Sequence, residues 1–308
     1  MPALRLILLW HQHQPFYKDL VSGRYRLPWV RLHALKDYYG MVKSLDEFPN
    51  VHQNFNVVPS LMTQIQDYVE GTAEDPFLKV AAKPAKDLSA DERRFALQYL
   101  FQANPTNLIG RYPRYRELWE RFREHGALPE RAERYFTAQD FTDLQVLSQI
   151  AWFDEFFLEE KDVAALVQKG RQYSLDDQKF VIARERELMA QVLPGYKSAA
   201  EKGSIEISAT PFYHPILPLV CDTNAGVISS AGLPLPESVS SSRGWAGATA
   251  ARAGSARESV WDASQGSVAC GGKRFRGGGG DCAQPRRSMD GDRRGCAGEK
   301  YGSVLRAG

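Results

Sequence analysis

The chain opens on an apolar run, Leu4 to Trp10, that ends in His11-Gln12-His13-Gln14-Pro15-Phe16. A run of that length closed by a proline predicts a buried strand emptying into a loop. Val51–Val58 and Ser204–Thr210 have the same apolar character and predict a second and a third strand. Between them, from about Pro59 to Lys202, the apolar positions recur at helical spacing. Ser89-Ala90-Asp91-Glu92 has the form of a capping box ahead of Phe95, Leu97, Tyr99 and Leu100. Ser174 predicts another N-cap, opening a helix that Pro194-Gly195 is expected to stop. Apolar residues at 144, 147, 150, 151 and 157 define a core-facing stripe. The charge-rich stretches Arg114–Arg134 and Arg184–Glu187 read as solvated helix faces. Strands separated by a long helical region place the chain in the α/β class.

The pattern fails after Glu237. The last 72 residues, 237–308, hold 15 of the 25 Gly and three of the four Cys, but one Leu and no Ile. Too little apolar surface is present there to offset the entropy of ordering the chain. Gly, Arg, Ala, Ser and Cys in this mixture are what a shifted reading frame of a GC-rich gene gives. The sequence therefore divides into a folded part, 1–236, and a Gly/Arg/Ser/Ala-rich tail, 237–308, expected to be frame-shifted or disordered.

Charge and composition narrow the function classes. Lys plus Arg total 39 against 37 acidic residues, a net charge of +2, so no nucleic-acid partner is expected. Aromatic residues make up 11% of the chain, and many stand beside polar ones, which suits flat ligands with polar edges such as sugars. The first apolar run is too short for a membrane span and lacks a signal-peptide cleavage site, so a cytoplasmic protein without a membrane partner is expected. The four Cys form no CxxC pair, and neither a zinc knuckle nor a disulfide framework is predicted.

Two strand ends carry the chemistry. Positions two apart on a strand share a face, so His11 and His13 would point the same way, beyond the carboxyl end of the first strand. On the third strand Ile205 and Ile207 share one face and leave Glu206 on the other, where a carboxylate is costly unless paired or used. His214 follows that strand as His11 and His13 follow theirs. A His-x-His at a strand end also suits a metal-dependent hydrolase, with His214 and Asp222 completing a zinc site.

HQHQPF, NFNVVPSLMTQI (54–65) and GSIEISATPFYHPILPLVCDT (203–223) together resemble glycoside hydrolase family 57, and in particular its α-amylase and amylopullulanase branch. The resemblance runs from about residue 3 to about residue 236. It implies part of an incomplete seven-stranded (β/α) barrel with a long helical insertion. It also implies retaining action on α-1,4 or α-1,6 glucans, with an α-glucan or maltooligosaccharide as substrate and no cofactor. His11, His13 and Gln14 would then line the subsite for the reacting sugar, Glu206 would support sugar binding, and His214 would shape the pocket. Trp10, Phe16 and Trp29 would supply stacking rings.

The chain departs from that family where the chemistry is done. Retention needs two carboxyl groups about 5 Å apart, a nucleophile and an acid/base. The family carries them in a W-P-x-E-G motif and a later D-G-E motif, and neither stands intact here. Trp261–Val268 is a faint echo of the first, with Gln265 at the nucleophile position. The chain is therefore expected to be inactive as written and poorly soluble, since a barrel without its later strands leaves an open edge. A non-catalytic α-glucan-binding protein is the remaining expectation.

Overall fold

A computed structural model describes residues 4–229, 232–235 and 237–239, together with the backbone of 267–270 and 273–275. Most of these residues are helical, around a small, mainly parallel sheet. Strands β1 (Leu9–Gln12), β2 (Gln53–Val57) and β3 (Ile205–Ala209) run parallel in that order, joined by crossovers, the second of which contains nearly all the helices. The strand β4 (Ser267–Cys270) extends the sheet parallel to β3, and β5 (Lys273–Phe275) returns antiparallel. Both fall in the stretch where the sequence pattern predicts no element.

Among the described residues the sheet has five strands, not seven, and it does not close: β1 pairs with β2 alone and forms an edge. This overturns the expectation of a buried first strand. Leu4 is 97% exposed, Ile7 77% and Leu9 64%, because no layer among the described residues covers the outer side of the edge. The ladder starts only where Asn54 N–H reaches the carbonyl of Leu8 at 2.9 Å.

The helices that matter for the site are α1 (Trp29–His33), α2 (Pro59–Glu70), α3 (Pro76–Ala82), α4 (Ala90–Tyr99), α5 (Pro113–Glu124), α6 (Ala138–Ile150), α7 (Leu175–Met189) and α8 (Val192–Glu201). The expected capping box holds at Ser89–Glu92, the expected N-cap at Ser174 is a full capping box with Asp177, and a third box, Thr137–Asp140, opens α6. Leu144, Leu147, Ile150, Ala151 and Phe157 are all buried, as their spacing predicts. Pro194 and Gly195 do not stop a helix. The preceding helix has already ended at Met189, and Pro194 sits in the first turn of α8, where its missing N–H leaves no helical bond unmade.

The charge-rich stretches are not wholly solvated. Arg114 of α5 is buried against Asp140 and Asp143 of α6. Arg31 of α1 is buried between Asp75, the N-cap of α3, and Glu185 of α7, at 3.1 and 2.8 Å. Each side chain offers a fork of donors to carboxylates, so the desolvated charge is compensated across two helices at Arg114 and three at Arg31. The Arg31 pairs fix how the helical layer docks around α1, downstream of the HQHQPF loop.

Candidate functional site

The sheet is two-faced because its strands alternate. Phe55, Val57, Ile205 and Ile207 face the helices, with the Phe55 ring edge-on to Tyr196 of α8 at 5.3 Å. The opposite face carries Leu9 and His11 from β1, Asn54 and Asn56 from β2, and Glu206 and Ser208 from β3. The register makes rows of them: Leu9, Asn54 and Glu206 in one, His11, Asn56 and Ser208 in the next. Parallel strands covered on both faces are usually apolar throughout, so this polar, largely exposed face is built for something other than packing.

The second row is hydrogen-bonded from end to end. Asn56 Nδ2 donates to Ser208 Oγ at 3.0 Å, which turns Asn56 Oδ1 toward His11 Nδ1 at 2.8 Å. An amide oxygen only accepts, so His11 donates from Nδ1 in this bond.

Beyond the carboxyl ends of the strands three imidazoles meet. The His11 and His214 rings are edge-to-face at 4.6 Å, His13 lies 5.0 Å from His214, and His11 and His13 are 5.9 Å apart. His214 reaches them from a left-handed backbone, φ 52°, held by its N–H to the Pro211 carbonyl at 2.8 Å. A non-glycine residue there costs about 1 kcal/mol or more, which neighbouring structure must offset. Burial, then the His214 and His11 rings, hold the His13 imidazole below its usual range. The His13 ring therefore favours its neutral form, which can exchange hydrogen bonds with hydroxyl groups. Beside it Phe16, Phe212 and Tyr213 form an aromatic group with centroids 4.7–5.9 Å apart.

The amides of the motif work inward. Gln12 is buried and donates to Tyr196 Oη at 2.5 Å, and Tyr196 in turn donates to the Tyr38 carbonyl at 2.8 Å. Gln14 donates to Tyr38 Oη at 3.0 Å and accepts from Tyr17 Oη at 3.1 Å. Burial pushes the Tyr38 phenol up to about 12, so it stays a neutral donor and acceptor. The loop after His13 is gripped by Gln64 of α2: its Oε1 accepts from Tyr17 N–H at 2.8 Å and its Nε2 donates to the Pro15 carbonyl at 3.1 Å.

The structure thus brings His11, His13 and His214 together, with Gln14 in the same loop and Glu206 one row below His11 on the polar face. It does not bring the tryptophans there. Trp10, adjacent to His11 on the strand, belongs to the other side of the sheet and donates to Gln53 Oε1 at 2.6 Å. Trp29 stands with His33 and Trp152 in a separate aromatic group. Asp222 caps the turn that begins at Thr223, accepting from Asn224 N–H. Among the described residues no group of three His, Cys, Asp or Glu is arranged to hold a metal ion. Gln265 lies outside the described residues.

Sequence reasoning missed Asn56, Ser208, Gln64, Tyr38 and Tyr196. The first two were within reach: in Asn54-Phe55-Asn56-Val57 polar and apolar residues alternate as they do around Glu206, marking a polar face.

The model of glycosyl hydrolase family 57 matches residues 7–236, about three quarters of the chain. The chain belongs to that family. No curated protein and no solved structure matches it. No helix among the described residues is long and apolar enough to cross a membrane.

Proposed function

We propose that this family 57 chain is the N-terminal part of a retaining, α-glucan-active glycoside hydrolase, and that it binds α-glucan without cleaving it. The observation that carries the reading is the meeting of His11, His13 and His214 over a hydrogen-bonded polar sheet face. Imidazoles, amides and a hydroxyl at one strand end match the donors and acceptors of a sugar ring, and the Phe16, Phe212 and Tyr213 group offers an apolar flank. Gln14 and Glu206 complete the subsite from the loop and from the row below. The strands β1 to β3 would be the first part of a (β/α) barrel whose interior is that polar face.

Bond cleavage is a separate matter. A retaining mechanism uses a nucleophilic carboxylate and a second carboxyl that first donates and then accepts a proton. Glu206 is the sole carboxylate in β1 to β3, and one carboxylate cannot fill both roles. The sequence past residue 237 supplies no W-P-x-E-G or D-G-E motif to provide them.

Titration of the full chain with maltoheptaose, followed by the imidazole proton resonances, tests the reading. Saturable shifts that His13→Ala abolishes, with no reducing sugar released, are expected. Unchanged resonances would refute sugar binding, and turnover lost on Glu206→Gln would refute the inactivity.

A further inference from the structure

Helix α2 holds both loops of the histidine cluster. The Gln64 side chain brackets Phe16: its Oε1 accepts from Tyr17 N–H at 2.8 Å and its Nε2 donates to the Pro15 carbonyl at 3.1 Å. One turn earlier, Ser60 N–H donates to the Phe212 carbonyl at 3.3 Å, on the loop that carries His214. The second amide proton of Gln64 goes to the Ser60 carbonyl at 3.1 Å, so the two grips are tied to each other. Just before the helix, Val58 N–H donates to the carbonyl of Gln12, between His11 and His13, at 3.1 Å.

Among the described residues no hydrogen bond runs directly between 13–17 and 211–214. The loops meet through rings: His13 with His214 at 5.0 Å, and Phe16 with Phe212 and Tyr213 at 5.9 and 5.5 Å. Ring contacts accept a range of offsets, whereas hydrogen bonds from one helical turn fix a distance. Gln64 is fully buried and both its amide protons are spent, so it acts through the loops and not by touching a ligand.

We infer that Gln64 is a positioning residue of the sugar subsite. Through it α2 holds the HQHQPF loop against the Pro211–His214 loop, setting His13 against His214 and Phe16 against Phe212. This rests on the α-glucan reading of the histidine cluster.

Gln64→Met keeps the length of the side chain and removes its three hydrogen bonds. In the full chain it is expected to weaken maltoheptaose binding about tenfold. The His13 titration, followed by proton NMR, should move upward toward 6.5, because burial and then the His214 and His11 rings hold it down. A part in stability alone would lower the melting temperature and leave that titration in place. Gln64→Glu keeps an acceptor for Tyr17 N–H and should show a smaller change in both readouts; it carries the comparison if Gln64→Met does not fold. An unmoved His13 titration in the folded variants overturns the inference, whether or not binding falls. No response of the unaltered chain to maltoheptaose overturns the α-glucan reading instead, and a moved titration would then keep Gln64 as the residue that positions the cluster.

Discussion

His11 and Asn56 occupy the same register position on adjacent parallel strands, and His11 Nδ1 lies 2.8 Å from Asn56 Oδ1. Because Asn56 is committed to Ser208 on its other side, one amide sets both the orientation and the tautomer of the first imidazole. The polar face of the sheet is thereby a positioning device as well as a surface.

Asn56→Ala should therefore cost about 1–3 kcal/mol, the desolvation of partners left unpaired in a half-buried row. It should also weaken maltoheptaose binding about tenfold, since His11 is free to turn. Urea denaturation and titration measure the two separately. A stability loss with unchanged binding would mean that Asn56 only props the sheet.

Acid should weaken the fold through His13. Its folded pKa lies below the ordinary value of 6.5, chiefly by burial and then by the two neighbouring imidazoles. The unfolded chain consequently binds this proton first. The stabilising contribution is complete above pH 6.5 and is lost as pH falls from there through the folded pKa. His214→Asn, which tolerates the left-handed backbone at that position, should move the His13 titration upward in a proton NMR pH series. No movement would show that the His214 ring does not contribute to it.

Arg31→Met should be among the most damaging single changes, at about 3–5 kcal/mol, because Asp75 and Glu185 would be left buried without their cation. Arg31→Lys should recover only part of this, since a point charge cannot serve both carboxylates and Gln149 with a planar fork. Denaturant midpoints of the two variants check the order, and equal midpoints would contradict it.

The uncovered edge should govern solution behaviour. Ile7→Lys is expected to leave stability within about 0.5 kcal/mol, as befits an exposed position, while sharply reducing self-association. Light scattering against concentration, beside a thermal melt, separates the two effects. Undiminished scattering would place the adhesive surface elsewhere.

Much of the site was legible because its signals are local. Period-2 alternation put Glu206 opposite Ile205 and Ile207, a proline closed the HQHQPF strand, and capping chemistry marked the helix starts at Ser89 and Ser174. Local reasoning also placed His11, His13 and His214 at strand ends. It could not see that Gln64, far along in α2, clamps the HQHQPF loop, or that Tyr196 answers Gln12 from α8.

The sequence by itself determined the first three strands, the helix starts at Ser89 and Ser174, the two-faced character of the third strand and the absence of the family's catalytic motifs, since each depends on neighbours within a few positions. Tertiary structure alone decided the rest. Whether Leu4–Leu9 is buried depends on whether another layer covers the edge, and none does among the described residues. Whether Arg114 and Glu185 meet water depends on which helix docks beside them. Whether Trp29 joins the histidines depends on the path of the chain between them, and that path, held by Gln64 and by the buried Arg31, carries it to Trp152 instead. Pattern fixes what a residue prefers, while burial and pairing are properties of the partner that folding brings to it.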